Sequence, residues 1–232
     1  VWEMVPGVRK NNTTDEAITG EAHERLAERL LGAPENNAAR FFAWFHFMDP
    51  HDVYHPHEGI EYGRTQRERY LGELTWTDRQ LGKLLDFIER QSWASRTVII
   101  VTADHGECFG EHGHTRHGFE LWQELVHVPW FFYLPGGSGR RIEVPRSHLD
   151  LAPTVLDFLG VKGTDGLEGQ SLRAELLGSA EPPTRDLWID LPRTSDSDRR
   201  RALIHENLKL IAYGDDSRFE VYDLSQDPKE EH

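Results

Sequence analysis

The stretch Thr97-Val98-Ile99-Ile100-Val101-Thr102-Ala103-Asp104-His105-Gly106-Glu107 decides the fold. Residues 97–102 form a short apolar run that predicts a strand buried on both faces. Asp104 and His105 follow at its end, where ligands bind in open α/β sheets. Upstream, Tyr70, Leu74, Leu81, Leu85 and Ile88 predict a helix over about 62–91. Before it, Phe41-Phe42-Ala43-Trp44-Phe45-His46-Phe47-Met48, closed by Asp49-Pro50, predicts another covered strand. A first helix over about 14–31 is read from a Thr13/Glu16 capping box, from Ile18, Ala22, Leu26 and Leu30, and from the stop at Gly32 and Pro34. Downstream, Val128–Leu134 reads as a strand and Pro135-Gly136-Gly137 as a turn. A helix follows over 148–160, with Pro153 in its first turns and Gly160 closing it. Helix, strand, helix, strand is the α/β order and predicts a largely parallel sheet flanked by helices.

Past residue 180 the texture changes. Leu187–Asp190, Arg201–Ile204, Leu208–Tyr213 and Phe219–Tyr222 are short strand-like pieces separated by turns, and predict a small C-terminal antiparallel subdomain. The expected organisation is an α/β core over 1–180 and this subdomain over 181–232, with 193–201 as a mobile loop or hinge.

Among 232 residues, 26 Lys and Arg stand against 40 Asp and Glu, a formal charge of −14. That balance argues against a nucleic-acid or anionic-membrane binder, which needs a basic face. No window reaches the roughly 18 apolar residues of a membrane span, and the first residues lack a signal-peptide pattern. A single cysteine, Cys108, excludes an internal disulfide framework and leaves the compartment open. The start at Val1 and the stop at His232 after an acidic segment read as the ends of a piece of a longer protein.

Histidine is the anomaly: nine of 13 fall in two windows, His46, His51, His55 and His57, then His105, His112, His114, His117 and His127. Clustering of that kind suits metal binding or proton transfer. Asp104 and His105 are candidate ligands for a divalent cation, and Gly106 lets the backbone turn there. The loop Gly110–Gly118 carries His112, His114 and His117 toward an anionic substrate, with no zinc-finger spacing in it. His51, beyond a strand end, is a candidate proton donor to a leaving group. His46 reads as a core histidine, His55 and His57 as rim residues.

Five motifs, in this order and spacing, resemble the second half of type I sulfatases of the alkaline phosphatase superfamily. They are Phe41 to His51; Thr102 to Glu107 with Gly110-Glu111-His112-Gly113; Leu125-Val126-His127-Val128-Pro129; Leu149 to Leu156; and Leu208-Lys209-Leu210-Ile211 followed by Val221 to Pro228. The resemblance implies an alkaline-phosphatase-like α/β fold with a small C-terminal antiparallel sheet. It implies a metal-dependent sulfuric ester hydrolase acting on a small-molecule or glycan sulfate. Asp104 and His105 align with metal ligands, Ca²⁺ first, with Mn²⁺, Mg²⁺ or Zn²⁺ as alternatives. His51 aligns with the histidine facing the ester oxygen and His117 with a residue contacting the anionic group, both catalytic. His51, His117 and His112 are the candidate substrate-binding residues. His117 replaces a lysine of many sulfatases and matches phosphoethanolamine-type transferases.

Family members carry their nucleophile, a formylglycine, in a Cys/Ser-x-Pro-x-Arg motif, and an Asp-Asp pair completes their metal site. Cys108 is followed by Phe109-Gly110-Glu111-His112, and Pro183-Thr184-Arg185 has Glu181 at the nucleophile position, so neither fits. The expectation is that both features lie in the N-terminal half of the same enzyme and that this chain is inactive without that partner; the resemblance is compatible with an exported or periplasmic enzyme, and the compartment stays open. The rival readings are a phosphoryl-ester or phosphonate hydrolase or transferase of the same superfamily, and a non-catalytic sulfatase-like binding protein.

Overall fold

A computed structural model describes residues 20–163, 166–195 and 197–232. It divides between Thr97 and Val98 into two units. The Thr13/Glu16 capping box lies outside the described residues.

In the first unit α1 (Gly20–Gly32) and the single turn α2 (Pro34–Asn37) precede the long helix α3 (Gln66–Glu89). α3 starts later than the apolar spacing suggests because Thr65 and Glu68 form a reciprocal cap. Thr65 Oγ1 accepts from Glu68 N at 3.2 Å, and Thr65 N donates to Glu68 Oε2 at 2.9 Å. The buried stripe of α3 follows the apolar spacing only in part. Ile88 is buried as expected, with Leu84 and Phe87 beside it, and Tyr70, Leu81 and Leu85 are half-buried, but Leu74 is exposed while Glu73 and Gln80 are buried. Two polar residues with dedicated partners occupy the inner face, and a hydrophobicity pattern cannot see them.

Phe41–Met48 forms no ladder among the described residues, which corrects the expected strand. It lies with one side covered: Phe41 meets Trp93 edge-on at 5.2 Å, and Phe47 meets His23 at 5.2 Å. Phe42 and Trp44 point outward, 60% and 59% exposed, and His46, expected in the core, is exposed too. Apolar content marks extended chain, but a ladder needs a neighbouring strand.

The second unit opens with β1 (Ile99–Thr102), continues through the ribbon β2 (Cys108–Phe109) and β3 (Thr115–Arg116) and the turn α4 (Gln123–Val126), and reaches β4 (Trp130–Tyr133). β1 and β4 pair antiparallel, Ile99 opposite Tyr133 and Thr102 opposite Trp130. Every ladder among the described residues is antiparallel, so the parallel part of the expected sheet is not formed by them. The expected parallel neighbour, Phe41–Met48, makes no ladder. Then come α5 (Leu151–Leu159), closed by Gly160 at φ 66° as its residue type requires, and α6 (Arg173–Leu176).

The four-stranded sheet is β5 (Leu187–Leu191), β6 (Arg200–His205), β7 (Leu208–Tyr213) and β8 (Arg218–Asp223), an antiparallel meander in chain order. Its inner face, with Ala202, Ile211 and Tyr213, shares one core with Cys108, Leu121, Trp122 and Leu125. Lys209 pins that contact: its buried Nζ donates to Leu121 O at 2.5 Å and pairs with Glu230 Oε1 at 2.7 Å, while Glu230 Oε2 accepts from Gln123 N at 2.6 Å. Residues 200 and 201, expected in a hinge, are ladder residues of β6.

Candidate active site

At the end of β1 the chain turns through Ala103-Asp104-His105-Gly106. Gly106 N donates to Leu125 O at 2.8 Å, and a Cβ on Gly106 would lie 1.9 Å from Glu124 O, so only glycine lets this corner seat on α4. The Asp104 carboxylate is 62% exposed and accepts from His105 N at 3.1 Å. His105 Nδ1 donates to Gly106 O at 2.9 Å, a tautomer that puts the ring lone pair on Nε2, 3.9 Å from Asp104 Oδ1. An oxygen and a nitrogen donor therefore sit side by side, oriented as a ligating histidine is oriented by the partner of its other nitrogen. They supply two donors, and no group of three or more His, Cys, Asp or Glu poised for a metal occurs among the described residues.

His117 joins this corner. Its ring stacks on His105 with centroids 3.9 Å apart, and its Nδ1 lies 3.2 and 3.3 Å from the two oxygens of the well-covered Glu107 carboxylate. The Glu107 hydrogen bond holds His117 above the usual histidine pKa, against an opposing effect of burial. Behind it, Thr102 Oγ1 donates to Pro129 O at 2.9 Å and lies 2.9 Å from His148 Nε2. Burial lowers the His148 pKa, and the nearby Asp104 charge works the other way.

In the first unit, His51 Nδ1 donates to Asp52 O at 2.6 Å and His51 N to Met48 O at 3.0 Å, which presents Nε2 as the ring nitrogen for chemistry. His57, expected at the rim, is buried. Its Nε2 lies 2.6 Å from Glu73 Oε2, and its ring stacks on Trp76 at 4.3 Å and 3°.

The sulfatase family model matches residues 4–161, and the model described as N-sulphoglucosamine sulphohydrolase, C-terminal, matches residues 110–232. This chain belongs to the sulfatase family. An N-acetylglucosamine-6-O-sulfatase of Bacteroides thetaiotaomicron is 28% identical over 172 residues, 69% of this chain and 30% of its own length. The solved structure of BT4656 with its substrate D-glucosamine-2-N,6-O-disulfate superposes with a TM-score of 0.59 at 27% identity, over 70% of this chain and 35% of that one. A phosphonate monoester hydrolase of Agrobacterium radiobacter gives 0.61 at 25% identity, over 71% and 36%. The fold is the alkaline-phosphatase-like one of these relatives. The sulfatase-family chain spans about a third of the length of the curated relatives it matches.

In this sulfatase-family chain the residues singled out by motif fall into three settings. Asp104, His105 and His117 come together, and His51 stands in its own loop. His112 instead stacks on Trp122 at 4.2 Å with Nε2 3.5 Å from Glu124, where it packs the loop onto the core. Cys108 is a core residue whose thiol burial pushes up to about 11, which suits packing and not nucleophilic attack. The motif reading contains Glu107 but gives it no role, and it misses His148. His148 carries no local signal because its partner Thr102 is 46 residues away.

Proposed function

We propose that this chain carries metal-ligating and acid-base residues of a sulfuric ester hydrolase whose formylglycine nucleophile comes from sequence outside these 232 residues. The observation that carries the reading is the corner in which Asp104 and His105 sit side by side with His117 stacked on His105 and oriented by Glu107. Asp104 through a carboxylate oxygen and His105 through Nε2 would hold a divalent cation, Ca²⁺ in our reading with Mn²⁺, Mg²⁺ or Zn²⁺ as alternatives. Two donors fit part of a coordination shell, the remainder falling to the family's Asp-Asp pair. When bound, the cation supplies positive charge that offsets the charge of the sulfate ester. His105 must be neutral to ligate, so metal affinity falls as pH drops. His117, its imidazolium favoured by Glu107, binds the anionic group, and His51 acts as an imidazolium that keeps Nδ1–H on Asp52 O, gives its Nε2 proton to the leaving alcohol and is left as the neutral ring. His112 supports the loop that carries His117. The substrate class is a small-molecule or glycan sulfate, in line with the glucosamine sulfatase relatives.

The test uses the chain as its gene encodes it. Asp104→Ala is expected to lose most bound divalent metal by elemental analysis and at least about 10³-fold in turnover of 4-nitrophenyl sulfate, the scale of a lost metal-ion contribution. Normal metal content with normal rates would overturn the assignment. A second reading, phosphonate or phosphate ester hydrolysis, is favoured by His117 and by the likeness to the phosphonate monoester hydrolase. Turnover faster on a nitrophenyl phosphonate than on the matched sulfate would select it.

A further inference from the structure

We propose that Glu73 is a positioning residue for His51, an inference that rests on the reading of His51 as proton donor. Glu73 lies one turn before Trp76 on the inner face of α3, and its carboxylate is buried. It spends both oxygens on the His51 loop. Oε1 accepts from His55 N, and Oε2 meets His57 Nε2 at 2.6 Å. Trp76 stacks on that same His57 ring, and its indole Nε1 donates to Asp49 Oδ1 at 3.1 Å. Asp49 in turn accepts from Gly20 N at 2.9 and 3.1 Å, so its carboxylate is fixed from a second side.

The consequence is geometric. Asp49 lies two residues before His51 and His55 four residues after it, and both ends are moored to adjacent turns of one helix. Between the moorings, His51 N closes a turn onto Met48 O, and Tyr62 Oη donates to Tyr54 O at 2.6 Å. The segment has little freedom left, and Nδ1 of His51 is committed to Asp52 O. Nε2 is thereby held toward one direction, as proton transfer to a leaving oxygen requires.

A purely structural duty would be met at lower cost by an apolar residue, since burying a carboxylate is expensive unless its partners need it. The partners here are a backbone N–H of the His51 loop and a ring that locks the same loop. Positioning of His51 accounts for that choice.

The experiment compares Glu73→Ala, Glu73→Gln, His51→Ala and the Glu73→Ala/His51→Ala double variant in the gene-encoded chain, with 4-nitrophenyl sulfate and the poorer leaving group phenyl sulfate. Glu73→Ala is expected to lower kcat on phenyl sulfate by about 10²-fold, the scale of a misplaced catalytic group, and far less on 4-nitrophenyl sulfate, with KM little changed. Glu73→Gln, which keeps an acceptor for His55 N, restores part of the loss. The double variant should lose no more than His51→Ala alone, because a positioning residue has nothing left to position. Losses that multiply, or a Glu73→Ala loss equal on both substrates while His51→Ala discriminates between them, would overturn the proposal. If His51→Ala itself loses equally on both, the proton-donor reading fails, and the double variant alone then decides positioning. Should Glu73→Ala not fold, Trp76→Phe replaces it: it keeps a ring over His57, loses the bond to Asp49, and must show the same selective loss and the same lack of multiplication.

Discussion

The two histidine windows use the same residue type in opposite ways. In 46–57, a histidine without chemistry, His57, is buried against Glu73 and Trp76 and holds a loop in place, while His51 is presented through Nε2. In 105–117, two histidines are the presented groups, His105 and His117, which stack on each other with a carboxylate, Glu107, behind one of them, while His112 packs on Trp122. In the first window the buried carboxylate grips the backbone and a mooring ring. In the second it grips the working ring. Histidine density coincides with the candidate site, and in our proposal the carboxylate partner separates a mooring ring from a presented one.

The sharpest way to break this contrast is to remove one histidine of each kind. His117→Ala is expected to lower kcat on sulfate esters by about 10²–10⁴-fold, the range for a lost acid-base or charge-presenting group, with a smaller loss of stability than His57→Ala because Glu107 lies nearer to solvent than Glu73. A fall in melting temperature as large as the fall in activity would move His117 into the mooring class. His57→Ala should behave the other way. It leaves buried Glu73 Oε2 without its partner and Trp76 without its stack, and should lower the unfolding free energy by about 1–3 kcal/mol, the cost of an unsatisfied buried acceptor. Urea unfolding of the two variants side by side gives the comparison directly.

Much of this was legible from order alone. Leu208–Tyr213 alternates as a strand must and forms β7 at those residues, Gly160 closes α5, and Asp104-His105 emerges at a strand end. What escaped has physical reasons. Part of the inner stripe of α3 is taken by Glu73 and Gln80, and Glu73 is satisfied there by His55 and His57, which lie 18 and 16 residues away in sequence. Phe41–Met48 has strand composition, but ladder formation belongs to the pair and not to the segment. His148 and Glu107 join the site through single contacts across loops, for which no periodicity exists.

The smallest expected effect concerns His23, which lies under the first window. Its ring meets Phe47 and Phe45, its Nδ1 is buried with no hydrogen-bond partner among the described residues, and burial lowers its pKa below the usual histidine value, with Asp49 opposing and His46 reinforcing. A folded-state pKa below the unfolded one means that the folded protein prefers the neutral ring. The stability from this group is then fully present above about pH 6.5, the unfolded value, and is lost as pH falls through the folded value. Replacing His23 by Phe removes the titration while keeping an aromatic against Phe47. Unfolding free energies measured at about pH 5 and about pH 7.5 should therefore differ less in His23→Phe than in the parent, and the two proteins should converge at the higher pH. No second-unit group is expected to change its titration, so the difference isolates the first window. An unchanged pH dependence in His23→Phe would show that this ring is solvated in the folded protein. The covered side of Phe41–Met48 would then be looser than the histidine moorings next to it.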